Sequence, residues 1–374
     1  VSQKGVVTAK KAGTAKITAK SAGKKYICRV TVKSASANAS TGKNPLSSAA
    51  PGASASPKPS ASPNPSASSR PGTSTTTSSQ TKPASAEADT LTVGKISVRI
   101  GMTKAEVEQS AGAKPDRTDT SQLGMEEYIY NPSADYTNYL LVQFADGKVV
   151  GMSTISPYFC YASVVSSSDT ESQLKANGFD TGTVSTYYYA EDADGNKKGT
   201  SAYLLKQTNA SVVAFVDYWG AKEVYGVQVF SNAYTLDKLN QPKLGTYTDA
   251  VLTSAEAQLY DLLMAFRVYK NSALKPQTLT RTTQADNVAK THSQDMAKND
   301  YCDTKDSAGI DYKGDSGRLV AAGIDYQYAG EYVFSGCSDG ISAANTYIHK
   351  KNSRSAVLSE TNPYTCIGVG AAYN

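Results

Sequence analysis

Residues 34–89 are built almost wholly from Ser, Ala, Thr and Pro, with almost no apolar bulk. Such a stretch cannot bury enough surface to offset the entropy of ordering it, so no single core can run through it. It is expected to be a disordered, partly extended linker, stiffened in its middle by Pro51, Pro57, Pro59, Pro63 and Pro65. Everything that folds must lie on one side of it or the other. The abundance of Ser and Thr also permits O-glycosylation.

Charge divides along the same line. Residues 1–33 hold nine Lys/Arg and no Asp or Glu, and the linker adds four basic and two acidic groups. The whole chain is only +5, so the part after the linker is acidic. A cationic arm could pair with an anionic polymer such as a wall teichoic acid. The plainer reading is a strand surface kept soluble by lysine. Tyr26 is the arm's one aromatic residue, which leaves bases no stacking platform, so nucleic acid is not an expected partner. No run of about 18 apolar residues occurs, so no segment reads as a transmembrane helix. The chain starts at Val1 with neither a charged n-region nor an apolar h-region, and it reads as a fragment cut within a domain, with no signal peptide in view. Its five cysteines are too few and too scattered for a disulfide scaffold. Cys302, Cys337 and Cys366 alone fall in one domain, so a bridge would join two of those three. Equally, all five can serve as small buried hydrophobes.

Ahead of the linker, period-two alternation sets Ala15, Ile17 and Ala19 against Lys16, Thr18 and Lys20, and Cys28, Val30 and Val32 against Arg29, Thr31 and Lys33. With Gly5 to Ala9 as an earlier strand and Gly13 and Ala22-Gly23 as turns, residues 1–33 resemble the end of a bacterial immunoglobulin-like domain of the second group (Big2). The resemblance implies a partial all-β Ig-like sandwich of a kind used in extracellular spacers and adhesins.

After the linker, residues 90–245 suggest a mixed unit. Ile96 to Ile100 is a strand, and Thr103 with Glu106 makes a capping box for the helix that follows. Asn138 to Phe144 and Val149 to Ile155 flank a hairpin turn at Ala145-Asp146-Gly147-Lys148. Leu174 to Phe179 reads as a short helix, and Tyr203–Lys206, Val212–Asp217 and Val224–Phe230 read as strands. Tyr187, Tyr188 and Tyr189 could line a binding face, but strand surface and core is the preferred assignment. The Ile100-Gly101-Met102-Thr103-Lys104 opening and the Asp146-Gly147-Lys148-Val149-Val150-Gly151 hairpin resemble the α+β domain found N-terminal to CAP modules in Firmicutes.

Residues 250–374 carry the chemistry. Thr253-Ser254-Ala255-Glu256 reads as a capping box opening a helix whose Leu259, Leu262, Leu263 and Phe266 form a buried stripe. The next helix sets Ala285, Val288, Ala289, His292 and Met296 on one face, which makes His292 a core histidine hydrogen-bonded within the fold. Ala329-Gly330-Glu331-Tyr332-Val333, a helix from Ile341 to His349 and a strand at Ile367-Gly368-Val369-Gly370 complete the set. Together these resemble the CAP superfamily (cysteine-rich secretory proteins, antigen 5, pathogenesis-related 1) in its short bacterial form, and imply an extracellular α-β-α sandwich with a central cleft.

What the resemblance implies for the cleft can be followed residue by residue. Tyr301-Cys302-Asp303-Thr304 stands where the family has Tyr-Phe-x-His, so Thr304 replaces one cleft histidine. Arg318 keeps the family's arginine, and Gly330-Glu331-Tyr332 stands for Gly-Glu-Asn. Tyr347 keeps an aromatic and Arg354 an arginine, while Ser353 replaces the second cleft histidine. Met264 stands where the family has Asn. Zinc sites need about three strong protein ligands. Glu331 alone leaves one, so no metal and no cofactor is expected, and the hydroxyls of Thr304 and Ser353 are expected to serve as donors to the Glu331 carboxylate. His349 and Ser353 are four apart and would share a helical face, so a Ser-His-carboxylate set is conceivable. It comes without an oxyanion hole or a nucleophile turn, and His349 stands where the family has a surface residue.

The expectation is thus a multidomain chain: a partial Ig-like sandwich (1–33), a disordered linker (34–89), an α+β CAP-associated domain (90–245) and an α-β-α CAP domain (250–374). It would be a secreted, cell-surface or wall protein with a degenerate cleft. Glu331, Thr304, Ser353, Tyr332, Tyr347 and Arg318 would contact a peptide, glycan or lipid without catalysis. The alternatives are an extracellular hydrolase of wall peptides or proteins, and an adhesin gripping an anionic polymer through its basic arm.

Overall fold

The computed structural model describes residues 13–21, 24–32, 89–130, 136–270, 278–360 and 362–374. The linker assignment for 34–88, the strand at Gly5–Ala9 and the turn at Ala22-Gly23 lie outside them. The chain divides into two units, Val1–Thr76 and Thr77–Asn374. In the first, β1 (Gly13–Ser21) and β2 (Lys24–Val32) form an antiparallel pair in the register Gly13↔Val32, Ile17↔Cys28, Ser21↔Lys24.

The second unit opens with the hairpin β3 (Thr90–Val93) and β4 (Ile96–Arg99), then α1 (Lys104–Ala111). Four strands follow: β5 (Arg117–Thr120), β6 (Glu126–Tyr130), β7 (Leu140–Ala145) and β8 (Lys148–Ile155). Next come β9 (Phe159–Tyr161), β10 (Val165–Ser166), α2 (Glu171–Ala176) and a ribbon of β11 (Tyr189–Glu191) and β12 (Lys197–Thr200). Strands β13 (Ala202–Lys206), β14 (Ala210–Val216) and β15 (Val224–Ser231) complete the β-rich part. The rest is mostly helical, with α3 (Leu236–Asn240), α4 (Asp249–Lys270), α5 (Thr283–Asn299), α6 (Arg318–Ala321), α7 (Gly340–His349) and α8 (Lys351–Val357).

A seven-stranded antiparallel sheet, ordered β13-β14-β15-β8-β7-β6-β5, stands at the centre, beside a four-stranded sheet ordered β10-β9-β3-β4. Local chemistry fixes the joints. Asp146 (φ 50°) and Gly147 (φ 72°) both take the left-handed conformation that a tight β7–β8 hairpin turn requires. Thr103 and Glu106 exchange capping-box bonds at α1, as the sequence suggests. Thr170 and Gln173 do the same at α2, so that helix starts at Glu171, three residues before the expected Leu174.

The large sheet is buried on both faces, and alternation assigns each side chain to one of two cores. Leu140, Val142, Val212, Ala214, Val227 and Val229 join Val107, Phe159, Tyr161 and Leu174 under the small sheet, α1 and α2. Leu141, Val213, Phe215 and Tyr225 turn the other way and meet Leu262, Leu263 and Phe266 of α4, Ile341 and Ile348 of α7, and Val357 of α8. Residues on the two sides of position 250 therefore share one core.

Two expectations need correction. Helix α4 begins at Asp249, a turn before Thr253, with Thr248 Oγ1 accepting from the Val251 amide at 3.3 Å. Ser254 and Glu256 thus lie inside the helix, where Ser254 Oγ accepts from the Thr120 amide and Glu256 Oε1 from the Ala371 amide. The expected strand at Ile367–Gly370 is shorter than its pattern. Only β17 (Cys366–Ile367) pairs, in parallel, with β16 (Thr280–Arg281), so among the described residues the middle layer of the expected α-β-α sandwich is this two-stranded element. The glycines serve close approach instead. A Cβ on Gly368 would lie 2.3 Å from the Ala285 carbonyl carbon, and one on Gly370 would lie 2.1 Å from the Lys290 nitrogen, because the chain runs against the α5 backbone.

Candidate functional site

Helix α5 is capped by Thr282, whose side chain accepts from the Ala285 amide, and His292 is its buried residue. Helix α6 starts at Arg318, and Glu331 lies on an irregular stretch before α7. These three side chains converge. Arg318 Nη2 donates to Glu331 Oε1 at 2.8 Å and Oε2 at 2.7 Å. His292 Nδ1 lies 3.1 Å from Glu331 Oε1 and 3.0 Å from Arg318 Nη2. The Arg318 and Glu331 side chains are only 12% and 16% exposed. An ion pair that dry is held by geometry and costs several kcal/mol to break from one side.

The six cleft candidates divide by how they meet this pair. Thr304 contributes its carbonyl, which accepts from Arg318 Nη2 at 3.0 Å, while its hydroxyl turns to Asp303. Ser353 spends its hydroxyl on the Tyr347 and Lys350 carbonyls at 2.8 and 3.2 Å. The expectation that both hydroxyls donate to Glu331 is therefore wrong, because the Thr304 hydroxyl turns to Asp303 and the Ser353 hydroxyl to the carbonyls at the end of α7. The Tyr347 hydroxyl donates to the Tyr332 carbonyl, and its ring packs edge-on against Phe334 with centroids 4.6 Å apart. Arg318 and Glu331 are thus the centre, Tyr332 and Tyr347 brace it, and Ser353 serves the end of α7.

The Ser353–His349 pairing fails for a local reason. Lys350 is extended (φ −87°, ψ 123°) and separates α7 from α8, because its backbone bridges to Glu191 of β11 and its ammonium lies 3.2 Å from Glu191 Oε2. His349 is not at the surface; it is 1% exposed. Its Nε2 lies 3.1 Å from the Tyr225 hydroxyl, and its carbonyl accepts from Trp219 Nε1 at 2.7 Å. Burial pushes the imidazole down to about 3, against the attraction of Asp217. Arg354 likewise faces the sheet, donating to both Asp217 oxygens at 3.2 and 3.1 Å, with Lys270 Nζ at 2.7 Å. Burial would raise the Asp217 carboxyl, but these two cations outweigh it and hold it low.

Beside the cleft lies a cavity of about 340 Å³, lined among others by Tyr187, Tyr189, Cys302, Phe334, Cys337 and Lys350. It spans both sides of position 250. The ammoniums of Lys197 and Lys350 lie 4.4 and 4.6 Å from the ring centroids of Tyr189 and Phe334. From the sequence, Tyr187–Tyr189 are expected on strand surface and in the core. Tyr188 is buried, donating to Asn240 Oδ1 at 2.9 Å, but its two neighbours face the cavity as well. Three consecutive tyrosines were the available signal. His292 is expected in the core and is buried there, but its spacing gives no sign that its partners are Glu331 and Arg318. Among the described residues, no three His, Cys, Asp or Glu side chains converge as a metal site would need.

Residues 100–241 match the CAP-associated N-terminal family. The fold is similar to the 1.5 Å crystal structure of an extracellular protein containing an SCP domain from Bacillus anthracis str. Ames. The two are 20% identical with a TM-score of 0.57, over 73% of this chain and 90% of that one. It is also similar to a cysteine-rich secretory protein from Staphylococcus aureus subsp. aureus Mu50, 15% identical with a TM-score of 0.51, over 74% and 90% of the two chains. No curated protein sequence matches. At these identities the likeness is one of fold, a mixed α/β architecture of the SCP/CAP kind.

Proposed function

We propose that this is an extracellular, surface- or wall-associated protein of the CAP kind whose cleft region binds a ligand and does not catalyse. The observation that carries this reading is the state of Glu331. Its two oxygens both accept from Arg318, and His292 lies against one of them. The one acid kept from the family's cleft is thus tied into a nearly dry ion pair, while Thr304 and Ser353 bring no imidazole. A general base needs an oxygen within reach of the proton it removes, and a metal ligand needs neighbours of its own kind. Neither condition is met by a clamped, solitary carboxylate. The extracellular location is supported by the likeness to the Bacillus anthracis protein, which is itself extracellular.

The ligand's place in this reading is the tyrosine- and lysine-rimmed cavity beside the cleft, and its class is a peptide, glycan or lipid fragment of a wall or surface. Trp219 supplies the assay. It is the chain's single tryptophan, and it donates to the carbonyl of His349, a cavity-lining residue. Titration with wall-derived peptides, oligosaccharides and lipid vesicles is expected to give a saturable change in Trp219 emission with one class. That change should weaken in Tyr189→Ala and Phe334→Ala. Turnover of a wall peptide or protein that stops in Glu331→Gln would overturn the reading, as would stoichiometric zinc that is lost in Glu331→Ala.

A further inference from the structure

The cavity beside the cleft carries two thiols. Cys302 and Cys337 both line it, and both are free, Cys302 exposed and Cys337 half-buried. Each sits on anchored chain. Next to Cys302, the Tyr301 hydroxyl donates to Asp295, and two residues on the Thr304 carbonyl accepts from Arg318 at 3.0 Å. Gly336, at φ 81°, turns the chain immediately before Cys337. After it, the Ser338 amide donates to Ser342 Oγ at 3.0 Å and the Ser338 hydroxyl to the Leu239 carbonyl at 2.7 Å. The Cys337 thiol itself lies 3.7 Å from Thr346 Oγ1. Two thiols held in the walls of one small cavity have a high effective concentration toward each other.

We propose that Cys302 and Cys337 are an oxidisable pair that closes to a disulfide across this cavity. The oxidant is a small-molecule or protein disulfide. The exposed Cys302 thiolate attacks one of its sulfurs, the S–S bond breaks, and the other sulfur leaves as a thiol, so Cys302 is held in a mixed disulfide. Cys337 then gives its proton to solvent, attacks the Cys302 sulfur and expels the second thiol. Two protein thiols are oxidised and one donor disulfide is reduced to two thiols. Burial pushes the Cys337 thiol up to about 11, which makes the second step the slow one near neutral pH. Its rate rises about tenfold per pH unit below that value, because the thiolate is the nucleophile. Once closed, the bridge ties the segment after α5 to the segment after Glu331, narrowing the cavity. The pairing does not depend on the cleft's binding a ligand.

The test uses the full chain in oxidised glutathione, quenched with an alkylating reagent and digested with trypsin. The expected product links peptide 299–305 to peptide 319–350 and is about 2 Da lighter than the two reduced peptides together. It should form in the native chain and in Cys366→Ser, vanish in Cys302→Ser, and form about tenfold faster at pH 8.5 than at pH 7.5. Glutathione retained on Cys302 with Cys337 still alkylatable overturns the proposal, as does a bridge from Cys302 to Cys366 or Cys28. Cys302 is exposed, so Cys302→Ser is expected to fold, and far-UV circular dichroism checks it. A failure of Cys337→Ser to fold leaves that decision intact.

Discussion

At the scale of single residues, burial decides what each polar group can do. Arg318→Ala would leave the Glu331 carboxylate facing His292 alone and should cost about 3 kcal/mol, read as a lower denaturation midpoint in urea. Glu331→Gln keeps an acceptor for Arg318 and should cost less. Ser353→Ala loses only a donor to two carbonyls and should cost about 1 kcal/mol. Glu127 gives a pH dependence of definite sign. It is 2% exposed, accepts from Gln143 and Gln258 at 2.8 and 2.6 Å, and is pushed up to about 7 by burial, against those two bonds. The protonated acid is the form the fold prefers. Its contribution is complete below the unfolded value near 4.5 and is lost as pH rises through about 7, a change on the order of 3 kcal/mol. Urea midpoints at pH 5 and pH 8 should therefore differ less in Glu127→Gln than in the native chain. Of these residues, Glu331 and Arg318 are singled out in the sequence only through the family resemblance. The roles of Glu127 and His349 are not legible there, because what matters about them is a partner more than 100 positions away, Gln258 and Tyr225 respectively.

At the scale of elements, sequence signals were reliable where the physics is local and failed where a neighbour overrides it. The β7–β8 hairpin, the α1 capping box and β13 to β15 follow from turn chemistry and alternation. The start of α4 does not, since Thr253 and Glu256 satisfy a capping pattern while Thr248 holds the actual end. The break at Lys350 is likewise imposed from outside, by β11. It places His349 in a dry site whose imidazole is held down to about 3. The neutral ring's contribution is complete above the unfolded value near 6.5 and is lost as pH falls toward 3. His349→Gln should accordingly lower the midpoint of acid unfolding, followed by Trp219 emission. The glycines of the final segment offer a sterner test. Gly370→Ala would press a methyl against the Lys290 backbone and should cost about 1–3 kcal/mol in a thermal melt, with little relief from side-chain movement.

At the scale of the whole chain, composition and motifs divide the sequence into segments, but the core shared across position 250 is not legible in them. Alternation shows that a strand has two faces without saying what covers each. Because Tyr225 and Phe215 of the sheet pack with Phe266 of α4 and Ile348 of α7, residues 250–374 expressed alone should lack cooperative unfolding by circular dichroism. Co-expression with residues 89–245 should restore it. A sheet covered on both faces also restricts how its sequence can drift. A surface strand changes every second residue freely, since half of its side chains meet only water. In β7, β14 and β15 adjacent positions report to different cores, so almost any substitution disturbs either the small sheet or the helices. Variation in this lineage should therefore collect in the turns and at exposed positions such as Lys197 and Lys198 of β12, leaving the middle strands nearly still while the surfaces around them diverge.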